Sequence, residues 1–131
     1  MKFIVTSGKR KRATAKAVLR PGTGKLTFNQ KPYRLMSHSI SLLKMQEPMV
    51  LAGDVMQKVD VDVTVIGGGY NSQAEAGRIA LARALVEFSP RLKDVFLDYN
   101  RQLLVADVRR KESAKPNSHG QARSKTQKSY R

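Results

Sequence analysis

The stretch Lys58-Val59-Asp60-Val61-Asp62-Val63-Thr64-Val65-Ile66 carries four valines on alternate positions, with Asp60, Asp62 and Thr64 between them. Strict two-residue alternation of β-branched and polar side chains predicts a strand with one buried face. Gly67-Gly68-Gly69 ends it, and Ser72-Gln73-Ala74-Glu75 matches a capping box, which predicts a helix starting there. Ala74, Gly77, Leu81, Ala84, Leu85 and Phe88 share one face at helical spacing, while Glu75, Arg78, Arg83 and Glu87 turn mostly outward. Those small residues suit close packing of a helix on a sheet.

Upstream, Phe3 and Val5, then Ala13, Ala15, Ala17 and Leu19, alternate as two strands around the basic turn Ser7–Arg12. Pro21, Gly22 and Gly24 signal a turn, so Lys25–Asn29 reads as the returning strand of a hairpin. Ser39 can cap a short core helix with Ile40, Leu42, Leu43 and Met45, expected to stop before Pro48. Downstream, Ser89-Pro90 opens a second helix carrying Leu92, Val95, Phe96 and Tyr99, and a short strand is expected over 102–106. Strands before and after helices predict an α+β fold with one mixed β-sheet covered by helices. The domain reading is a globular body over 1–108 and an extended basic tail over 109–131. Large apolar residues vanish after Val108, so the tail cannot offset its ordering entropy when free.

The 131 residues carry 25 Lys and Arg against 10 Asp and Glu, a net charge of +15. The first 46 residues hold eleven cations and no acid, the middle is slightly acidic, and residues 109–131 hold eight cations and one acid. Excess charge at both ends calls for a polyanion, and nucleic acid is the expected partner. Without cysteine there is no thiolate nucleophile, disulfide framework or Cys-based zinc site. No apolar run approaches a membrane span, and the basic cluster comes too early for a secretory signal, so the chain reads as cytosolic.

Lys9, Arg10, Lys11 and Arg12 would repel one another unless phosphates lay nearby, and arginine forks match phosphate oxygens. Gly67, Gly68 and Gly69 are either a tight structural turn or a cradle for an RNA phosphate at a helix N-terminus. They lack the lysine and hydroxyl of a P-loop, and no cofactor motif is present. His38 and His119 have no metal-ligand neighbours, and Asp60 and Asp62 more simply face water or balance nearby cations than form a catalytic pair. The dispersed tail cations Lys111, Lys115, Arg123, Lys125, Lys128 and Arg131 fit repeated phosphate contacts better than a solubilising arm or a localisation signal.

Taken in order, Gly8–Ala15, then Gly67-Gly68-Gly69 through Gln73 and Ala74 to Arg78 and Ala82–Ala84, then Leu103–Asp107 with Arg109-Arg110, and finally Gln127–Arg131 resemble one known family. It is the family of the ninth protein of the small ribosomal subunit, and the Lys-Ser-Tyr-Arg ending and Leu-Val-Ala-Asp segment are closer to its archaeal and eukaryotic branch. The compact length favours the archaeal one. The resemblance implies helices on one side of the sheet, as in the second domain of the fifth small-subunit protein, with a left-handed crossover. It implies a non-enzymatic place in the subunit head, with small-subunit rRNA, peptidyl-site tRNA and neighbouring ribosomal proteins as partners.

The residues then expected to meet rRNA are Lys9, Arg10, Lys11, Arg12, Lys16, Gly67, Gly68, Gly69, Arg78, Arg109, Arg110 and Lys111. Those expected near tRNA are Arg123, Lys125, Lys128, Tyr130 and Arg131. Two other readings are a freestanding DNA- or RNA-binding module and a small kinase using the glycine run. The missing P-loop lysine counts against the second.

Overall fold

Val59, Val61, Val63 and Val65 are all buried, and the strand that carries them, β5 (Val59–Ile66), lies in the middle of the sheet. The computed structural model describes residues 2–116, 122–123 and 129–130. Preceding β5 are β1 (Ile4–Arg10), β2 (Ala13–Pro21), β3 (Leu26–Phe28), β4 (Lys31–Pro32) and helix α1 (Ser39–Ala52); α2 (Tyr70–Phe88) and α3 (Leu92–Tyr99) follow it. The sheet order is β1-β2-β5-β3-β4. Only the β3–β5 pair is parallel, so the sheet is mixed as expected.

The expected hairpin between β2 and β3 does not form, because β5 lies between them. Its register sets Leu19 opposite Val61 and Ala17 opposite Val63 on one side, and Leu26 and Phe28 beside Val61 and Val63 on the other. The intervening turn is held by β5 itself. Gly22 N–H donates to the Lys58 carbonyl at 3.0 Å, Gly24 N–H to that of Val59 at 3.1 Å, and one Asp60 oxygen accepts from the N–H groups of Thr23, Gly24 and Lys25 at 2.8–3.1 Å. The chain thus crosses over the end of β5 instead of doubling back. The hairpin that does form joins β3 to β4 through Asn29 and Gln30, both with positive φ (51° and 68°), as a tight antiparallel turn demands.

On β1 the inward phase is opposite to the expected one. Ile4 is buried while Phe3 and Val5 are 57% and 56% exposed. The cause is the tight approach of α2: Thr6 Oγ1 donates to the Ala80 carbonyl at 2.7 Å, and a Cβ on Gly8 would stand 2.3 Å from the Ala76 carbonyl oxygen. Only small inward residues let the helix lie this close. From the helix side, Ala74, Ala76, Ala80, Ala82 and Ala84 are fully buried. The helix packs across β1, β2 and β5, and α1 and α3 pack on it in turn. Thr14, Lys16, Thr64 and Ile66 on the opposite sheet face are exposed. The α+β class, with helices on one side of a mixed sheet, is therefore the observed one.

Three further expectations are corrected. α1 runs through Pro48 to Ala52 because its buried face is Ser41, Met45, Pro48 and Ala52, and burial of the proline ring outweighs the one backbone bond it cannot donate. Ile40 and Leu43 are consequently exposed. α2 begins at Tyr70 with Gly69 as N-cap and no side-chain cap, since Glu75 binds cations instead of closing a capping box. In place of a strand over 102–106 there is a 3-10 turn, Arg101–Leu103, which buries Leu103. Nearby, Arg83 Nε takes the Leu104 carbonyl at 2.9 Å, an acceptor that a strand would have offered to a neighbour. In α3, Leu92 and Phe96 are buried, whereas Val95 and Tyr99 face outward. Among the described residues no helix is long and apolar enough to cross a membrane.

Candidate nucleic-acid interface

Three segments far apart in sequence meet around one cleft of about 890 Å³: Lys11-Arg12 in the β1–β2 turn, Gly68-Gly69 between β5 and α2, and residues 109–114 beyond the last helical turn. Five of its lining residues are cationic, namely Lys11, Arg12, Arg109, Arg110 and Lys111. The one acid in the lining, Glu112, is paired with Arg123 at 2.7 Å and Lys115 at 3.8 Å. All five cations are exposed.

The glycines make this convergence possible. Gly67 and Gly68 have φ of 81° and 68°; a Cβ on Gly67 would lie 2.7 Å from the Arg12 carbonyl oxygen, and one on Gly68 would lie 3.1 Å from Ala13 Cβ. The left-handed backbone and the bare Cα together let one turn press against the other. Gln73 Nε2 ties the turn by donating to the Gly67 carbonyl at 3.1 Å. Of the two readings of the glycine run, the tight turn is thus present in the fold. Because the first bond within α2 runs from Gln73 N–H to the Gly69 carbonyl, the N–H groups of its first turn have no partner within the helix, and Gly69 and Ser72 of that turn line the cleft at the positive end of the helix dipole.

The other expected rRNA residues divide into two groups. Lys9 and Lys16 stand exposed on the helix-free face of the sheet, away from the cleft. Arg10 and Arg78 face inward, so both are placed differently from a free surface cation. Arg10 Nε meets Glu75 Oε2 at 2.8 Å and its Nη1 donates to Asp107 Oδ2; Arg78 Nη1 meets Glu47 Oε2 at 2.7 Å, and the residue is only 8% exposed. Arg83 is also partly inward, bonding the carbonyls of Ser7 and Leu104. Of the tail residues, Arg123 is held by Glu112 and Tyr130 is exposed, while Lys125, Lys128 and Arg131 lie outside the described residues.

Sequence reasoning passed over the carboxylates that organise this region. Asp107 accepts from Arg10, from the Arg109 backbone at 2.8 Å and from Arg109 Nη2 at 2.7 Å, so it fixes the point where the chain leaves the body. A signal existed: Asp107 is the sole acid between Asp98 and Glu112, two residues ahead of the three consecutive cations Arg109, Arg110 and Lys111. Burial acts to raise the pKa of Glu75, but the hydrogen bond and charge of Lys44, with Arg10 and Arg78 adding theirs, carry it below the ordinary carboxylate range. Asp60 is lowered by its backbone bonds from Lys25 and Thr23. Among the described residues no group of His, Asp and Glu could hold a metal ion.

A family model described as ribosomal protein S9/S16 matches residues 8–131. The small ribosomal subunit protein uS9 of Methanococcus maripaludis (strain C7) is 46% identical over 134 residues, covering 100% of both chains, and that of Methanococcus vannielii is similar to the same degree and extent. With the expected sheet, the glycine turn and the ordered motifs all present in one chain, and with matches along its whole length, the protein belongs to the ribosomal protein S9/S16 family.

Proposed function

We propose that the protein, a structural and non-enzymatic constituent of the small ribosomal subunit in the cytoplasm, holds small-subunit rRNA in the cleft where its two turns meet the start of its tail. The observation that carries this reading is the convergence of Lys11, Arg12, Arg109, Arg110 and Lys111 on the open N-terminus of α2. Backbone N–H groups and a helix dipole bind an anion without a dedicated side chain, and the surrounding cations add counterion release. Lys9 and Lys16 extend the phosphate contacts onto the open sheet face, while Arg10 and Arg78 act from inside by fixing the elements that bear the cleft.

In this reading residues 1–108 form the rRNA-bound body within the subunit head, beside neighbouring ribosomal proteins. Residues 109–131 form an arm that reaches toward the tRNA in the peptidyl site, where Arg123, Lys125, Lys128, Tyr130 and Arg131 contribute charge and one stacking ring. The Asp107 anchor supports it, because an arm is useful only when its origin is fixed. The test is a pair of variants on reconstituted small subunits. Replacing Lys11, Arg12, Arg109 and Arg110 with serine should weaken binding to a transcript of the rRNA 3′ major domain and flatten its log-log salt dependence by about 0.7–0.9 per lost contact. Deleting 128–131 should leave assembly intact and speed tRNA dissociation from the peptidyl site. Normal rRNA affinity in the first variant, or an unchanged tRNA off-rate in the second, rejects the corresponding half of the proposal.

A further inference from the structure

The first turn of α2 separates the cationic cleft from a second one. Gly69 and Ser72 line the first, while Tyr70 and Gln73 line the second, a recess of about 340 Å³ between the β3–β4 hairpin and the start of α1. Its character is different. Phe28, Leu35 and Met36 supply apolar walls and Lys31 supplies a cation at the edge. His38 and Tyr70 are both in its lining, and their rings stack with centroids 3.8 Å apart and planes 17° from parallel. Tyr70 is 60% exposed and His38 is also exposed, so this ring pair is not core.

We infer that the His38–Tyr70 pair and the recess beside it form a binding site for an unpaired nucleobase of the RNA whose backbone occupies the neighbouring cationic cleft. The inference rests on the proposed rRNA-binding reading and adds to it a base contact, where the cleft by itself reads only phosphate. Two observations support it independently of the cations. A stacked pair of exposed rings offers a flat π surface of the kind that splayed-out RNA bases take up. The recess that the two rings help to line has the mixed apolar and polar lining, and a volume at the small end of the range, expected of a site for a small planar group. Position supplies the third argument. A phosphate at the N-terminus of α2 lies beside residues 69–72, and the ring of Tyr70 projects from that same turn, so one strand can set its backbone on one side and a base on the other.

A base stack releases no counterions, whereas a phosphate contact does, and salt dependence therefore separates the two clefts. The experiment measures binding of the full chain to a transcript of the rRNA 3′ major domain across a salt series, with Tyr70→Ala, Tyr70→Phe and the double variant Lys11→Ser/Arg12→Ser. Tyr70→Ala should lose about tenfold in affinity at every salt concentration with an unchanged slope, the scale of one base–aromatic stack. Tyr70→Phe should bind as the wild type does, and Lys11→Ser/Arg12→Ser should change the slope. Ultraviolet cross-linking of the wild-type complex should attach a nucleotide to the peptide bearing Tyr70 or His38. Tyr70→Ala binding within twofold of wild type, or cross-links confined to the β1–β2 turn, overturns the base site while leaving the phosphate cleft intact. A wild-type chain that ignores the transcript overturns both. Normal rRNA affinity combined with poor incorporation beside the other head proteins would assign the recess to a protein side chain and reject the nucleobase.

Discussion

Arg10 and Lys11 are neighbours in sequence with opposite fates, and the two clusters they belong to divide the cationic surface of this protein. Arg10 lies on the inward phase of β1, between Glu75 and Asp107. Lys11 follows in the turn with φ of 53°, exposed at the rim of the cationic cleft. The same run of four cations thus holds one ion that organises the body and others left for an external anion. Charge density along a sequence does not reveal this division. Strand phase does, because a shift of one residue exchanges the buried and open faces.

The comparison is most sharply broken by removing the inner member. Arg10→Ala leaves two mostly buried carboxylates without their shared cation, and the body should lose about 2–4 kcal/mol of stability, read from its urea midpoint. A loss below about 0.5 kcal/mol would mean that the inner cluster does not hold the elements together. The outer cluster should behave inversely. Lys11→Ser/Arg12→Ser should leave stability within about 0.5 kcal/mol while weakening rRNA binding, since exposed cations away from partners add little to folding. Should those substitutions melt the body, the division between the clusters is wrong.

Acid titration gives the smallest effect and the finest discrimination. The folded-state pKa of Glu75 is depressed, so its contribution is present above the ordinary carboxylate range and is lost as pH falls through the lowered value. Glu75→Gln should therefore be less stable than wild type at neutral pH, with the gap, about 1 kcal/mol, closing as the pH drops below about 4. A gap independent of pH would remove charge from the explanation. Asp60→Asn should show the same sign, because its lowered pKa comes from backbone donors in the turn over β5.

Much of the fold was legible where a residue had only one reasonable environment. The valines of β5 and the alternating alanines of β2 have no other use than a buried face, and the alanine-rich stripe of α2 could only mean close contact with a sheet. The β1 phase was not legible, since Phe3 and Val5 alternate as well as Ile4 does; Gly8 decides it, through an approach to Ala76 that is visible only once the helix is placed. The hairpin was misread because Pro21–Gly24 signals a reversal without saying which strand receives it, and Asp60 answers from 36 residues away. Residue types in the cationic cleft were evident in the sequence. Their meeting was not, because it depends on two turns pressed together by left-handed glycines. The stacking of His38 on Tyr70 had no signal at all, since the pair spans the interval between two helix starts.

The central position of β5 has a consequence for synthesis. Both of its neighbours, β2 and β3, precede it in the chain, and neither pairs with the other. A ribosome-borne fragment that ends before Val59 therefore has no way to close its sheet, yet already carries the eleven cations of the first 46 residues without a single acid among them. Such a partial product combines uncovered hydrogen-bonding edges with a strong affinity for any nearby polyanion, the two properties that favour misassociation.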